Sequence, residues 1–277
     1  MTPFLMVAVL VIAVHAAPAL AQETVGLPED WQWGFQPAAS PSMEDIHWLY
    51  DVFLFPVMMV ISAFVLLLMA YILVRYRRAA NPNPSGTTHN SLLEVIWTGI
   101  PALILIVIAI PSLRLLYDQE TLPVAEPDLT IKITGHQWYW SYEYPDYDGL
   151  EFDAYILGDD ELAEGQPRLL ATDTTVVVPV DKYIRLQITS EDVIHAWALP
   201  AAGVKMDAVP GRLNEIWMKL EQPGMYYGQC SELCGLNHGY MPIMVEAVSE
   251  AEFGTWANEQ LAGRGTADDA IVTVAQN

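Results

Sequence analysis

Two long apolar runs without a charged residue dominate the first half of the chain, Val52 to Val74 and Val95 to Leu113, the second bounded by Glu94 and Arg114. At about 1.5 Å of rise per residue, each is long enough to cross a hydrocarbon layer of about 30 Å as a helix. Pro101 and Pro111 lie inside the second run, and membrane helices tolerate proline because neighbouring groups re-satisfy the freed backbone. Arg75, Arg77 and Arg78 follow the first run at once, whereas the segment before it carries Glu23, Glu29, Asp30, Glu44, Asp45 and Asp51 and no Lys or Arg. Basic residues collect on the cytoplasmic side. The pattern therefore predicts a hairpin with spans at 52–74 and 95–113, a cytoplasmic loop at 75–94, and both ends outside. Two buried helices of a soluble protein are the alternative.

Beyond Tyr117 the period changes. Ile184, Leu186 and Ile188 alternate with Arg185, Gln187 and Thr189, as in a half-buried strand. Further strands are expected at Leu129 to Thr134, Thr175 to Pro179, Leu213 to Leu220, Met225 to Gln229 and Ile243 to Val248. Together they predict an all-β sandwich over 117–249. Glu250 to Leu261 reads as a surface helix, with a Gly-, Ala- and Asp-containing tail to residue 277. At the other end, the apolar stretch Phe4 to Val14 precedes Ala19-Leu20-Ala21, a small-x-small site. This predicts a signal peptide over 1–21, cut before Gln22, and an external segment at 22–51. No Lys or Arg precedes the stretch, so a retained anchor is the alternative. The fold class expected is an α+β membrane protein: an N-terminal two-helix transmembrane hairpin, then a C-terminal all-β domain.

Charge narrows the partners. With 12 basic and 34 acidic side chains the net charge is −22, which excludes a nucleic-acid partner and favours a cationic one. Cysteine is used twice, at Cys230 and Cys234, so a disulfide-dense scaffold is excluded and a redox or metal role becomes worth testing.

Those cysteines open the spacing C-x3-C-x3-H-x2-M: Cys230, Cys234, His238 and Met241, in one loop between two expected strands. Thiolate, thioether and imidazole together suit copper. Two cysteines on one loop can each bridge two copper ions and spread one added electron over both, which suits electron transfer. His195, just past the strand at Tyr183 to Thr189, is the candidate for the second imidazole. A simple disulfide is the rival reading. Zinc is disfavoured because Met is a poor zinc ligand, and covalent haem needs C-x-x-C-H, which this spacing is not.

The stretch from Tyr226 to Pro242, YYGQCSELCGLNHGYMP, preceded by GHQWYWSYEYP from Gly135 to Pro145, resembles subunit II of the haem-copper cytochrome c oxidases. The resemblance spans nearly the whole chain after residue 21. It implies a cupredoxin sandwich holding the binuclear CuA centre, two copper ions, through His195, Cys230, Cys234, His238, Met241 and the backbone carbonyl of Glu232. It also implies that the Glu232 carboxylate binds a magnesium or manganese ion shared with subunit I. Trp138 resembles the aromatic residue through which the family receives electrons from cytochrome c; for Tyr139 and Trp140 a role as buried sheet aromatics is preferred.

Around Trp138 stand Glu143, Asp146, Asp148, Glu151 and Asp153, with Asp173, Glu191 and Asp192 entering from other segments. They are candidates for an acidic face that steers cytochrome c. By resemblance, Glu94 lies at the mouth of a proton path into subunit I, while Ser91-Leu-Leu-Glu94 also matches a capping box. Arg114 reads as an interface anchor. The function implied is that of the electron-input subunit of a proton-translocating cytochrome c oxidase in the bacterial inner membrane. Its copper domain is expected in the periplasm, passing electrons to haem in subunit I, where oxygen is reduced. Subunit I, further oxidase subunits, cytochrome c and membrane lipid are the expected partners. A quinol-oxidase type of subunit II lacks the copper ligands, and a membrane-anchored copper-storage module needs no aromatic inlet.

Overall fold

A computed structural model describes residues 26–147 and 149–275, with side chains through residue 262. The expected leader at 1–21, and Asp148, lie outside the described residues. Helix α1 (Pro41–His47) starts at Ser40, whose hydroxyl oxygen accepts the Met43 amide at 3.0 Å. It continues through wider π-type turns at Trp48–Leu54 into α2 (Phe55–Arg75). Pro56 has no N–H to close an α turn onto Val52, and the π-type turns directly before it accommodate that loss. The result is one helix of 35 residues, Pro41–Arg75. It begins before Val52, where Ser42 and Met43 are buried, Met43 meets Gly203 of the β domain and the Ser40 hydroxyl donates to the Ala202 carbonyl, tertiary contacts that a charge-free window does not register.

The second long helix, α3 (Ser91–Glu120, 30 residues), also overruns the apolar run that predicted it. Its N-cap is Asn90, whose Oδ1 accepts the Leu93 amide at 3.1 Å. The expected Ser91–Glu94 capping box is therefore corrected: Ser91 is already the first helical residue, and Asn90 takes the cap. Beyond Leu113 the helix carries its last turns to the β domain, where the Trp217 indole N–H donates to the Asp118 carbonyl at 2.9 Å.

The sandwich is built from β1 (Leu129–His136), β2 (Tyr139–Glu143), β3 (Glu151–Ala154), β4 (Val176–Pro179), β5 (Ile184–Ser190), β6 (His195–Leu199), β7 (Val204–Ala208), β8 (Asn214–Met218), β9 (Gly224–Gln229) and β10 (Pro242–Val248). Each expected strand is present. Strands β2, β3, β6 and β7 come in addition, all short, and β6 is buried throughout and so shows no alternation. One sheet runs β3-β2-β1-β5-β8, a second β4-β10-β9, and β6 and β7 form a two-stranded ribbon. Strand β1 pairs antiparallel with β2 and parallel with β5. Its alternate residues Leu129, Ile131 and Ile133 enter the core beside Ile184, Leu186 and Ile188 of β5. Trp140, Tyr142 and Tyr226 are fully buried there, so the hydrophobic area that holds the sandwich together lies directly behind the loop at 230–241.

Two features frame that loop. Gly228 of β9 abuts the Ala198 carbonyl of β6, so that an added Cβ would overlap it. Gly228→Ala is accordingly expected to lower stability by about 3 kcal/mol, read as a shift in the denaturation midpoint of the detergent-solubilised chain; an unchanged midpoint would contradict so close a crossing.

The other feature is helix α4 (Glu250–Ala275), which begins with a capping box: the Glu252 amide donates to the Ser249 hydroxyl, and the Ser249 amide to the Glu252 carboxylate. It is not simply a surface helix ending at Leu261. Phe253 and Ala257 are buried, Phe253 and Trp256 pack on Tyr144, and the helical backbone runs on to Ala275 without a proline to stop it.

Candidate metal centre

Strand β9 delivers Cys230 at its end, and β10 resumes at Pro242, so the whole Cys230 to Met241 loop is closed at its neck. The Cys230 amide donates to the Met241 carbonyl at 3.2 Å, and the Ser231 amide donates to the Ala196 carbonyl of β6 at 2.9 Å. That second bond brings the loop onto the strand whose first residue is His195. The two sulfurs lie 3.9 Å apart, as free thiols, about twice the S–S distance of a disulfide.

Around the sulfurs, Cys230 Sγ is 3.9 Å from His195 Nδ1 and 3.4 Å from the Glu232 carbonyl oxygen. Cys234 Sγ is 3.6 Å from His238 Nδ1 and 3.5 Å from Met241 Sδ. All six groups expected from the sequence thus converge. The ligand atoms of His195, Cys230 and Cys234 lie within 4.8 Å of one another. His195, Cys230, Cys234 and Met241 are buried, and His238 is half-buried.

His195 is held on every side. Its Nε2 lies 2.8 Å from Asp192 Oδ1, which leaves Nδ1 facing the sulfurs. The Trp140 ring meets it edge-on at 5.8 Å. Behind it lies Gly135, where a Cβ would come within 2.9 Å of the imidazole. Electrostatics follow from this packing. Burial alone would raise the Cys230 thiol, but bonds to His195 and to the Ala196 and Glu232 backbone bring it below its ordinary value. Burial and the neighbouring Cys230 charge hold Cys234 above its own. Burial would lower His195, yet its bonds to Cys230 and Asp192 leave it raised. Burial likewise opposes ionisation of Asp192, and the bonds from His195, Val193 and Gln137 overcome that and lower it. The pocket therefore stabilises a first thiolate and resists a second, unless a cation joins it. A largely buried set of two thiols, two imidazoles and a thioether, joined by the Glu232 carbonyl, fits copper.

The chain matches the family model for the cytochrome c oxidase subunit II periplasmic domain over residues 129–248 and that for the subunit II transmembrane domain over 28–115. A probable cytochrome c oxidase subunit 2 of Rickettsia bellii is 48% identical over 229 residues, covering 83% of this chain and 84% of the relative. Cytochrome c oxidase subunit 2 of Cereibacter sphaeroides is 44% identical over 272 residues, 91% of this chain and 88% of that one. Among solved structures, the periplasmic domain of subunit II of cytochrome oxidase of Bradyrhizobium japonicum is similar at 54% identity and a TM-score of 0.48, covering 52% of this chain and 99% of that one. The chain belongs to the cytochrome c oxidase subunit II family.

This subunit of cytochrome c oxidase therefore joins two apolar helices capable of spanning a membrane to a cupredoxin-type β domain. Within it, Trp138 sits beside the Cys230 to Met241 loop: its indole N–H donates to the Cys234 carbonyl at 3.3 Å. Gln137, which the sequence reading did not single out, donates its side-chain amide to the same carbonyl at 2.7 Å. Only the fold could reveal it, because the two segments are far apart in the chain. Trp138, Tyr139, Tyr155, Asn237 and Tyr240 line a cleft of about 460 Å³. Tyr139 is stacked between His136 and Tyr155 at 4.4 and 4.5 Å rather than buried, whereas Trp140 is a core residue as expected.

The candidate docking acids divide. Glu143, Glu151, Asp153 and Glu191 line one groove of about 460 Å³ with Lys132 and His136. None of the other described candidates lines it. Asp146 accepts the Thr130 amide, Asp173 the Tyr155 amide, and Asp192 the Gln137 amide. Glu143 is itself paired with Lys132 at 2.8 Å. Glu232, within the loop, turns its carbonyl to Cys230 and is exposed, as are Leu233 and Leu236 of the same loop. Glu94 is exposed in the first turn of α3, and Arg114 reaches Asp118 at 3.7 Å on the same helix.

Proposed function

We propose that this subunit receives single electrons from cytochrome c at a binuclear copper centre and passes them to haem in subunit I, where oxygen is reduced to water with proton pumping. One observation carries this reading: two free, buried thiols facing each other across 3.9 Å, ringed by His195, His238, Met241 and the Glu232 carbonyl. Copper bound by these donors supplies a one-electron couple whose added charge is shared between two ions. The protein's part is rigidity. The loop is closed at its neck, pinned to β6 and backed by the core, so the donors stay in place whichever charge the site carries. Trp138 offers a half-exposed ring next to a ligand's own carbonyl, a short covalent and hydrogen-bonded route inward.

The same reading assigns the rest. The Glu232 carboxylate binds magnesium or manganese with subunit I, a hard ligand for a hard ion. Glu94 stands at a proton-uptake mouth, and residues 1–21 are a removed signal peptide. The spans cross the bacterial inner membrane at 52–74 and 95–113, with the β domain in the periplasm. The groove at Glu143, Glu151, Asp153 and Glu191 attracts the donor, and Asp146, Asp148, Asp173 and Asp192 add to the same negative field.

The test is absorption and electron paramagnetic resonance of the copper-loaded complex. A purple centre with one unpaired electron shared by two copper nuclei is expected; a blue, single-copper signal, or two sulfurs joined as a disulfide in active complex, would overturn the reading. For the groove, neutralising Asp153 and Glu191 together (Asp153→Asn, Glu191→Gln) should raise KM for cytochrome c on the order of tenfold at low salt, with the difference vanishing at high salt. Equal KM values at low salt would remove the groove from the docking site.

A further inference from the structure

Glu191 and Asp192 are adjacent, yet they are used differently. Glu191 is largely exposed and reaches His136 at 3.7 Å. Asp192 turns its carboxylate into the domain: Oδ2 accepts the Gln137 amide at 2.6 Å, and Oδ1 accepts the Val193 amide at 2.6 Å and lies 2.8 Å from His195 Nε2. We infer that Asp192 is a positioning residue, which fixes the His195 ring with Nδ1 towards the sulfurs and at the same time holds the turn that carries Trp138.

His195 is completely buried, so its second nitrogen must find a partner inside the protein, because a buried ring N–H without an acceptor is costly. Asp192 is that acceptor. With the proton held on Nε2, the lone pair of Nδ1 is directed at Cys230, the tautomer that a metal ligand in this pocket requires. The second half of the argument lies in the hairpin. His136 and Tyr139 are paired residues of β1 and β2, so Gln137 and Trp138 form the turn between them. That turn is anchored by Gln137 at both ends: its backbone amide on Asp192 and its side chain on the Cys234 carbonyl, which also accepts the Trp138 indole. A single carboxylate thus stands behind a metal ligand and behind the aromatic inlet. It sets one relative to the other.

This inference rests on the copper reading, and its test separates the two. The assembled oxidase is prepared with Asp192→Ala, Asp192→Asn or Glu191→Gln. Asparagine keeps one oxygen for His195 and Val193 but presents an amino group to the Gln137 amide. Asp192→Ala should alter the copper absorption and paramagnetic spectra and slow electron input by about tenfold or more, as loss of an outer-shell partner does. Asp192→Asn should keep the spectra while lowering kcat at saturating cytochrome c, and Glu191→Gln should change KM alone. A wild-type complex without the two-copper signal would overturn the copper reading and this inference with it. A wild-type signal that Asp192→Ala leaves unchanged would overturn this inference alone. If Asp192→Ala does not assemble, an unchanged kcat in Asp192→Asn does the same.

Discussion

Replacing Cys230 or Cys234 by serine is expected to abolish the two-copper signal and to cut turnover with cytochrome c by more than about 100-fold, beyond the range that loss of an outer-shell partner produces. Each sulfur faces a different set of donors, Cys230 towards His195 and Glu232, Cys234 towards His238 and Met241, so neither is a spare for the other. A serine oxygen is hard and far less acidic, and it does not bridge soft ions as a thiolate does. The β domain should nonetheless fold, since serine takes only a sulfur from a core cluster that keeps Trp140, Tyr142, Tyr226 and the aliphatic residues of β1 and β5. Copper content, paramagnetic resonance and thermal unfolding of the purified complex check the three parts. A serine variant that retained the shared-copper signal would show that one thiolate is enough.

The Trp138→Ala substitution carries the second large effect: electron input slowed by about 100-fold at saturating cytochrome c, the scale on which a misplaced reacting group loses rate, with the copper spectrum intact. The separation is expected because Gln137, not Trp138, makes the shorter bond to the Cys234 carbonyl. The loop therefore keeps a donor when the indole is removed. Trp138→Phe, which keeps a ring but not the N–H, should fall between the two. Stopped-flow reduction by cytochrome c, followed at the copper absorption, reads the rate directly. A Trp138→Ala complex that accepts electrons at the wild-type rate would eliminate this ring as the inlet.

How far the chain could be read from its residues depended on whether the relevant signal was local. The membrane hairpin was visible because uncharged runs are compared with a fixed thickness of hydrocarbon, but the helix ends were not: Ser40 and Met43 tie the start of the first helix to Ala202 and Gly203 of the β domain, and Asn90 rather than Ser91 caps the next. Strands that alternate, such as Ile184–Ser190, declared themselves. His195–Leu199, buried on both faces, did not. The candidate metal loop was legible because its spacing places four ligand-type side chains between two strands, and His195 because its type narrowed the choice.

What the sequence alone determined was therefore a membrane-anchored chain with a β domain and a copper-type donor set on one loop, since periodicity, charge and ligand chemistry are properties of neighbouring residues. The tertiary structure decided which distant groups serve that loop. It placed Gln137 and Trp138 on the Cys234 carbonyl, turned Asp192 inward while leaving Glu191 outside, and gathered Glu143, Glu151, Asp153 and Glu191 into one groove without Asp146 or Asp173. The physical reason is that a carboxylate's role depends on the hydrogen-bond donors within about 3 Å of it, and in a sandwich those donors come from strands far apart along the chain.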